Sequence, residues 1–265
     1  MRINFTLLFL ALFFTVSAQD LTDSLSKYSY LIQAKTVGSQ MQATGFFARY
    51  QHRLFFVTAA HCITGWDPFQ FRKIDNFPDT LFIRTSNDTS RLHYLPLPVA
   101  DIKRSAQPFH DYEAPDVFVV EIKNPKNYPV YSVEKYFGER VRCETAKTIW
   151  VFGYPRNAGY NDYYSDRQQP FSCTALLGEA YCFYPFRPET RRPDQLNYFT
   201  SFKDSITGPG LSGAPAYILT QNKHIVFGGL YIGGGDKALR NGMVVRPEYV
   251  IDKITAEING RTVSR

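Results

Sequence analysis

From Gln42 the chain takes up a two-residue rhythm of apolar and polar positions. Gln42 to Tyr50 alternates, Gln51-His52-Arg53 breaks it, and Leu54-Phe-Phe-Val-Thr-Ala-Ala60 resumes, which predicts a hairpin. Further strands are predicted at 80–85, 92–97, 117–122, 148–152, 171–176 and 225–232. Two more apolar runs, at 197–200 and 216–219, flank the turn-forming stretch Gly208-Pro-Gly-Leu-Ser-Gly-Ala-Pro215. Only 247–259 has helical character: Tyr249, Val250, Ile254 and Ile258 share one face, and Pro247 suits a first turn. Many short strands without repeats or a βαβ rhythm predict an all-β barrel or sandwich. The polar segment 19–39 reads as a leader or docked extension, and any division near residue 135 separates halves of one unit, since no Gly/Ser linker intervenes.

The start of the chain has a different grammar. Arg2, an apolar run from Phe5 to Phe14 and the small-residue site Val16-Ser17-Ala18 predict a secretory signal at 1–18, too short for a membrane span. The remaining 265 − 18 = 247 residues hold no other membrane candidate and are enough for one large domain or two small barrels, in a secreted or periplasmic protein. Losing Arg2 lowers the formal charge from +6 to +5, and the basic residues are scattered. No basic stripe or known module supports nucleic-acid binding. Asn87-Asp-Thr89 is a turn and also a glycosylation sequon.

Cys62, Cys143, Cys173 and Cys182 allow three pairings in an exported chain. Cys173 and Cys182, nine apart across a plausible hairpin, form the first expected disulfide. Their spacing does not fit a zinc site.

Three residues carry candidate chemistry. Ser212 lies between Gly210 and Gly213 in a predicted tight turn that exposes its hydroxyl, and Gly210, lacking a Cβ, can turn its N–H into the same space as the N–H of Ser212. A nucleophile next to convergent donors is what acyl transfer needs. His61 directly follows the strand ending at Ala60, and Asp116 opens the strand 117–122, where a carboxylate needs a partner. Each alone has an ordinary reading: a turn, a structural histidine, a turn cap. In the order His, Asp, Ser they fit a triad.

Val57-Thr-Ala-Ala-His-Cys62 resembles the histidine motif of the chymotrypsin/trypsin-like serine proteases. Asp116-Val-Phe-Val-Val120 resembles their aspartate strand, and Gly210-Leu-Ser-Gly-Ala-Pro215 their serine motif. Ile149-Trp-Val-Phe-Gly-Tyr-Pro155 is similar to the first strand of their second barrel, and Phe227-Gly-Gly-Leu-Tyr-Ile-Gly233 to the strand that holds substrate. The resemblance covers about 40–260. It implies two packed antiparallel six-stranded β-barrels, at about 40–135 and 145–245, with a C-terminal helix at about 247–259. It also implies a peptidase with His61, Asp116 and Ser212 as its triad and the N–H groups of Gly210 and Ser212 as its oxyanion hole. No cofactor or metal would be needed, and the partner would be a peptide or protein substrate.

By the same resemblance Ile206 lies at the base of the specificity pocket, while Leu230, Tyr231, Ile232 and Gly233 line the substrate strand. An apolar base implies a preference for uncharged, apolar residues before the cut. The sequence departs from the family twice. No cysteine lies near Gly45 to Ala48 to pair with Cys62, leaving a free thiol or a Cys143 partner, and the aspartate before the catalytic serine is Leu211. A silent protease-fold binding module and an esterase-like hydrolase are the competing classes.

Overall fold

The computed structural model describes residues 24–36, 39–64, 66–67, 72–73, 80–86, 93–98, 115–125, 128–138, 148–155, 171–177, 197–202, 210–220, 224–233 and 241–262. The expected signal at 1–18, Asn87, Cys143, Cys182 and Ile206 lie outside them.

The first sheet is formed by β1 (Tyr30–Thr36), β2 (Ser39–Tyr50), β3 (Arg53–Thr58), β6 (Thr80–Arg84), β7 (Tyr94–Pro98) and β8 (Phe118–Glu121), in the order β7-β6-β1-β2-β3-β8. A small ribbon of β4 (Trp66–Asp67) and β5 (Arg72–Lys73) lies outside it. The predicted β2–β3 hairpin is present. Tyr50 pairs with Arg53, and Gln51 and His52 both have positive φ, 49° and 64°. That is the two-residue turn whose twist matches the strands it joins.

The second sheet is a closed six-stranded barrel. Its strands are β9 (Thr148–Gly153), β10 (Phe171–Leu177), β11 (Asn197–Phe202), β12 (Pro215–Leu219), β13 (Ile225–Gly233) and β14 (Asn241–Val245). Among the described residues the architecture is thus mostly β-strand, with short helical turns and the C-terminal helix Pro247–Thr262. That helix buries Val250 and Ile254 and lies against β13 and β8. Among the described residues no helix is long and apolar enough to cross a membrane.

Two elements differ from the sequence reading. The segment 19–39, expected to be a leader or docked extension, contributes a strand that was not expected, β1, which lies inside the first sheet between β2 and β6. β14 closes the barrel between β11 and β13 although no strand was expected there. In both cases the missing backbone partners come from distant strands, which local alternation does not report.

One apolar core joins the two halves. Phe46, Phe47, Phe55 and Phe56 are wholly buried and share a cluster with Tyr217, Leu230, Val245 and Ile254. The Phe46 and Phe227 rings meet at 5.3 Å, seating β2 on β13. Aromatic burial on this scale supplies much of the apolar area the fold removes from water.

Polar bonds then set the seam. Ser29 Oγ donates to Phe152 O at 2.7 Å, and Gln42 Nε2 donates to Tyr154 O at 3.3 Å. Both sites are buried, so these partners satisfy carbonyls that water does not reach.

Candidate active site

His61 starts the short helix His61–Thr64 directly beyond β3, and Asp116 precedes β8, the strand paired with β3. That pairing brings the two residues together across 55 positions. The backbone N–H of His61 donates to Asp116 Oδ1 at 2.9 Å, and His61 Nδ1 lies 2.5 Å from Asp116 Oδ2. One carboxylate therefore holds both the main chain and the ring of the histidine, which leaves Nε2 as the ring nitrogen without this partner. The side chains are only 18% and 14% exposed. Burial works against the imidazolium, but neighbouring Cys62 and the Asp116 carboxylate outweigh it and hold His61 well above the usual 6.5.

Ser212 occupies a tight turn between Gly210 and Gly213, whose φ values are +96° and +89°. Both lie in the left-handed region where a Cβ is disfavoured. The Leu211 carbonyl accepts from Ala214 N–H at 3.1 Å, and Gly213 N–H donates to Tyr231 O at 2.7 Å. Among the described residues, no acceptor takes the N–H of Gly210 or of Ser212. Leu211 is fully buried, and its Cδ1 lies 2.7 Å from where a Cβ on Gly153 would stand. Apolar packing fills the position at which a charged residue would need a buried counter-ion.

The turn is docked on the first sheet beside the histidine. Thr44 N–H donates to Ser212 O at 2.9 Å, and Cys62 Sγ is 3.9 Å from that same oxygen. A Cβ on Gly213 would overlap Thr44 O and Thr58 Oγ1 and stand 3.1 Å from Ala59 N, two residues before His61. On the other side, a Cβ on Gly233 would lie 3.6 Å from Ser212 Oγ, so the end of β13 runs past the serine hydroxyl.

Among the expected substrate-strand residues, Ile232 and Gly233 keep partly exposed surface, whereas Tyr231 is 3% exposed and Leu230 is fully buried in the core. Leu230 packs in the core cluster that joins the two halves. Cys62 is a buried free cysteine. Cys173 lies on β10 opposite Val151, while its expected partner falls outside the described residues. Among the described residues no group of three or more His, Cys, Asp or Glu could hold a metal ion.

Sequence reasoning passed over Thr44. It is a lone polar residue in a strand, with no motif to mark it, yet it makes three bonds across the seam.

The sequence matches no protein-family model and no curated protein. Solved structures with this fold are nonetheless clear. The active form of the Rv3671c protease from M. tuberculosis is 16% identical, with 88% of this chain and 82% of that chain covered at a TM-score of 0.54. A mutant Tobacco Etch Virus protease is 12% identical over 87% and 78% of the two chains, TM-score 0.52. The HtrA-type protease AlgW with tripeptide is 9% identical over 87% and 60%, TM-score 0.52. The fold of this chain is therefore that of the trypsin/chymotrypsin-type serine proteases.

Proposed function

We propose that this protein is a serine endopeptidase that cleaves peptide bonds through an acyl-enzyme formed on Ser212. The observation that carries this reading is a carboxylate-held histidine, His61 on Asp116, beside a glycine-turn serine docked on the same sheet. His61 takes the proton from Ser212 Oγ as the oxygen attacks the peptide carbonyl, then delivers it to the leaving amine. Water, deprotonated by the same imidazole, releases the acyl group. Asp116 fixes the tautomer and stabilises the imidazolium. The N–H groups of Gly210 and Ser212 bind the oxyanion, an effect worth on the order of 3 kcal/mol for each donor. The backbone at Tyr231 to Gly233 takes the substrate as an added strand, with Ile206 at the base of a pocket for an uncharged side chain.

The first sheet serves as the first barrel of a peptidase domain spanning about 40–260, extended by β1. The chain is exported by the signal at 1–18, works outside the cytoplasm, and carries a Cys173–Cys182 disulfide.

The test is labelling by a fluorophosphonate probe, with Ser212→Ala as control, followed by hydrolysis of a peptide library. Labelling that vanishes in Ser212→Ala is expected. Equal labelling of both proteins, or of neither, defeats the reading.

A further inference from the structure

We propose that Thr44 is a positioning residue for the oxyanion hole, acting through the backbone of Gly210 and Ser212; this rests on the serine-hydrolase reading of the same site. Thr44 is wholly buried and grips the serine turn at two points. Its hydroxyl donates to Gly210 O at 2.7 Å, and its N–H donates to Ser212 O at 2.9 Å. The two gripped carbonyls flank the Leu211-Ser212 peptide, and they belong to the two residues whose amides face the developing charge.

The hydroxyl itself is held on its other side. Tyr154 N–H donates to Thr44 Oγ1 at 2.9 Å, so its single proton is directed at Gly210 O. Thr58 Oγ1 donates to Thr44 O at 2.7 Å, which steadies the Thr44 backbone. The result is a relay from the second barrel, through a side chain of the first, back to the serine turn. Chains of this kind polarise and rigidify one another in a dry interior.

A hydrogen bond to Gly210 O fixes the rotation of the peptide after Gly210. Gly210 has no side chain to restrain its φ of +96°, so anchoring its carbonyl fixes one side of the residue about which its N–H turns. Ser212 N–H is aimed by the planarity of its peptide, because Leu211 O on the opposite side already accepts from Ala214. Gly153 leaves space for the arrangement, since a Cβ there would stand 2.8 Å from Thr44 Oγ1. Donors held in place before reaction are worth far more than donors that must reorganise.

The experiment compares wild type, Thr44→Val and Thr44→Ser in acylation by p-nitrophenyl acetate across pH, with thermal unfolding as a control for folding. Thr44→Val keeps the shape and removes the hydroxyl. Its acylation kcat is expected to fall roughly 10- to 100-fold, somewhat less than loss of a whole oxyanion donor. KM should stay within about twofold, and the apparent pKa of the rate profile should not move, because His61 and Asp116 are untouched. Thr44→Ser, which restores the hydroxyl, should recover kcat to within about threefold of wild type, a loss small beside that of an oxyanion donor.

A folded Thr44→Val with kcat near wild type overturns the role of Thr44 while leaving the peptidase reading intact. So does a Thr44→Ser as slow as Thr44→Val. If Thr44→Val does not fold, Thr44→Cys decides: its thiol donates weakly, so reduced kcat in the folded variant supports the role and wild-type kcat overturns it. A wild type that is never acylated overturns the function and this role together.

Discussion

Replacing Gly213 by alanine puts a methyl group where the structure has no room and no willing backbone. At φ +89° an L side chain is disfavoured by about 1–2 kcal/mol before any neighbour is considered. The added Cβ would also overlap Thr44 O and Thr58 Oγ1, well inside the 3.0 Å that real Cβ atoms keep. Thr44 O belongs to the interior of β2 and cannot swing aside as a side-chain tip would. The serine turn must therefore lift, breaking or stretching the Thr44 N–H to Ser212 O bond and the Gly213 N–H to Tyr231 O bond. Losing one buried bond of this kind costs about 1–3 kcal/mol, giving a total destabilisation of about 2–5 kcal/mol. Displacement of the turn by about an ångström would also lower activity by about 100-fold or more. Urea unfolding measures the first effect and fluorophosphonate labelling rate the second. Gly213→Ala within about 0.5 kcal/mol of wild type, as for an ordinary surface change, with an unchanged labelling rate would refute the reasoning.

Three further outcomes are expected. Because Asp116 helps hold His61 above 6.5, kcat/KM should fall on the acid side of a midpoint above pH 6.5. Asp116→Asn should lower that midpoint and reduce kcat on the order of 10³–10⁴-fold; an unmoved midpoint would contradict the pairing. The sign for stability follows: the raised His61 pKa contributes fully below pH 6.5 and is lost as pH rises through the folded-state value, so Asp116→Asn should cost most stability at low pH. Peptide mapping without reduction should find Cys62 unbridged and its thiol slow to alkylate until the protein unfolds, with Cys173 and Cys182 joined; a Cys62–Cys173 or Cys62–Cys182 peptide would overturn this. Finally, protein beginning at Gln19 with two extra N-terminal residues should be fully active, because buried Leu211 offers no counter-charge for a new ammonium. Activity appearing only after one defined cut would show otherwise.

The sequence alone determined much of this protein, and for identifiable reasons. The β2–β3 hairpin, β8 and β13 are legible because their partners or their apolar runs are local. The His, Asp and Ser motifs are legible because the chemistry restricts residue type and spacing. The pairing of His61 with Asp116, however, is decided by β3 meeting β8, a contact between strands far apart in the chain. β1 and β14 escaped notice because a short strand with mixed residues is stabilised by the neighbours it acquires, not by its own pattern. That Leu230 packs into the core is likewise decided by closure of the barrel around it. Thr44 carried no signal at all. Its bonds to Tyr154 and Gly210 span 110 and 166 residues, and they exist only because packing of one sheet on the other removes water from those groups and leaves the hydroxyl as their partner.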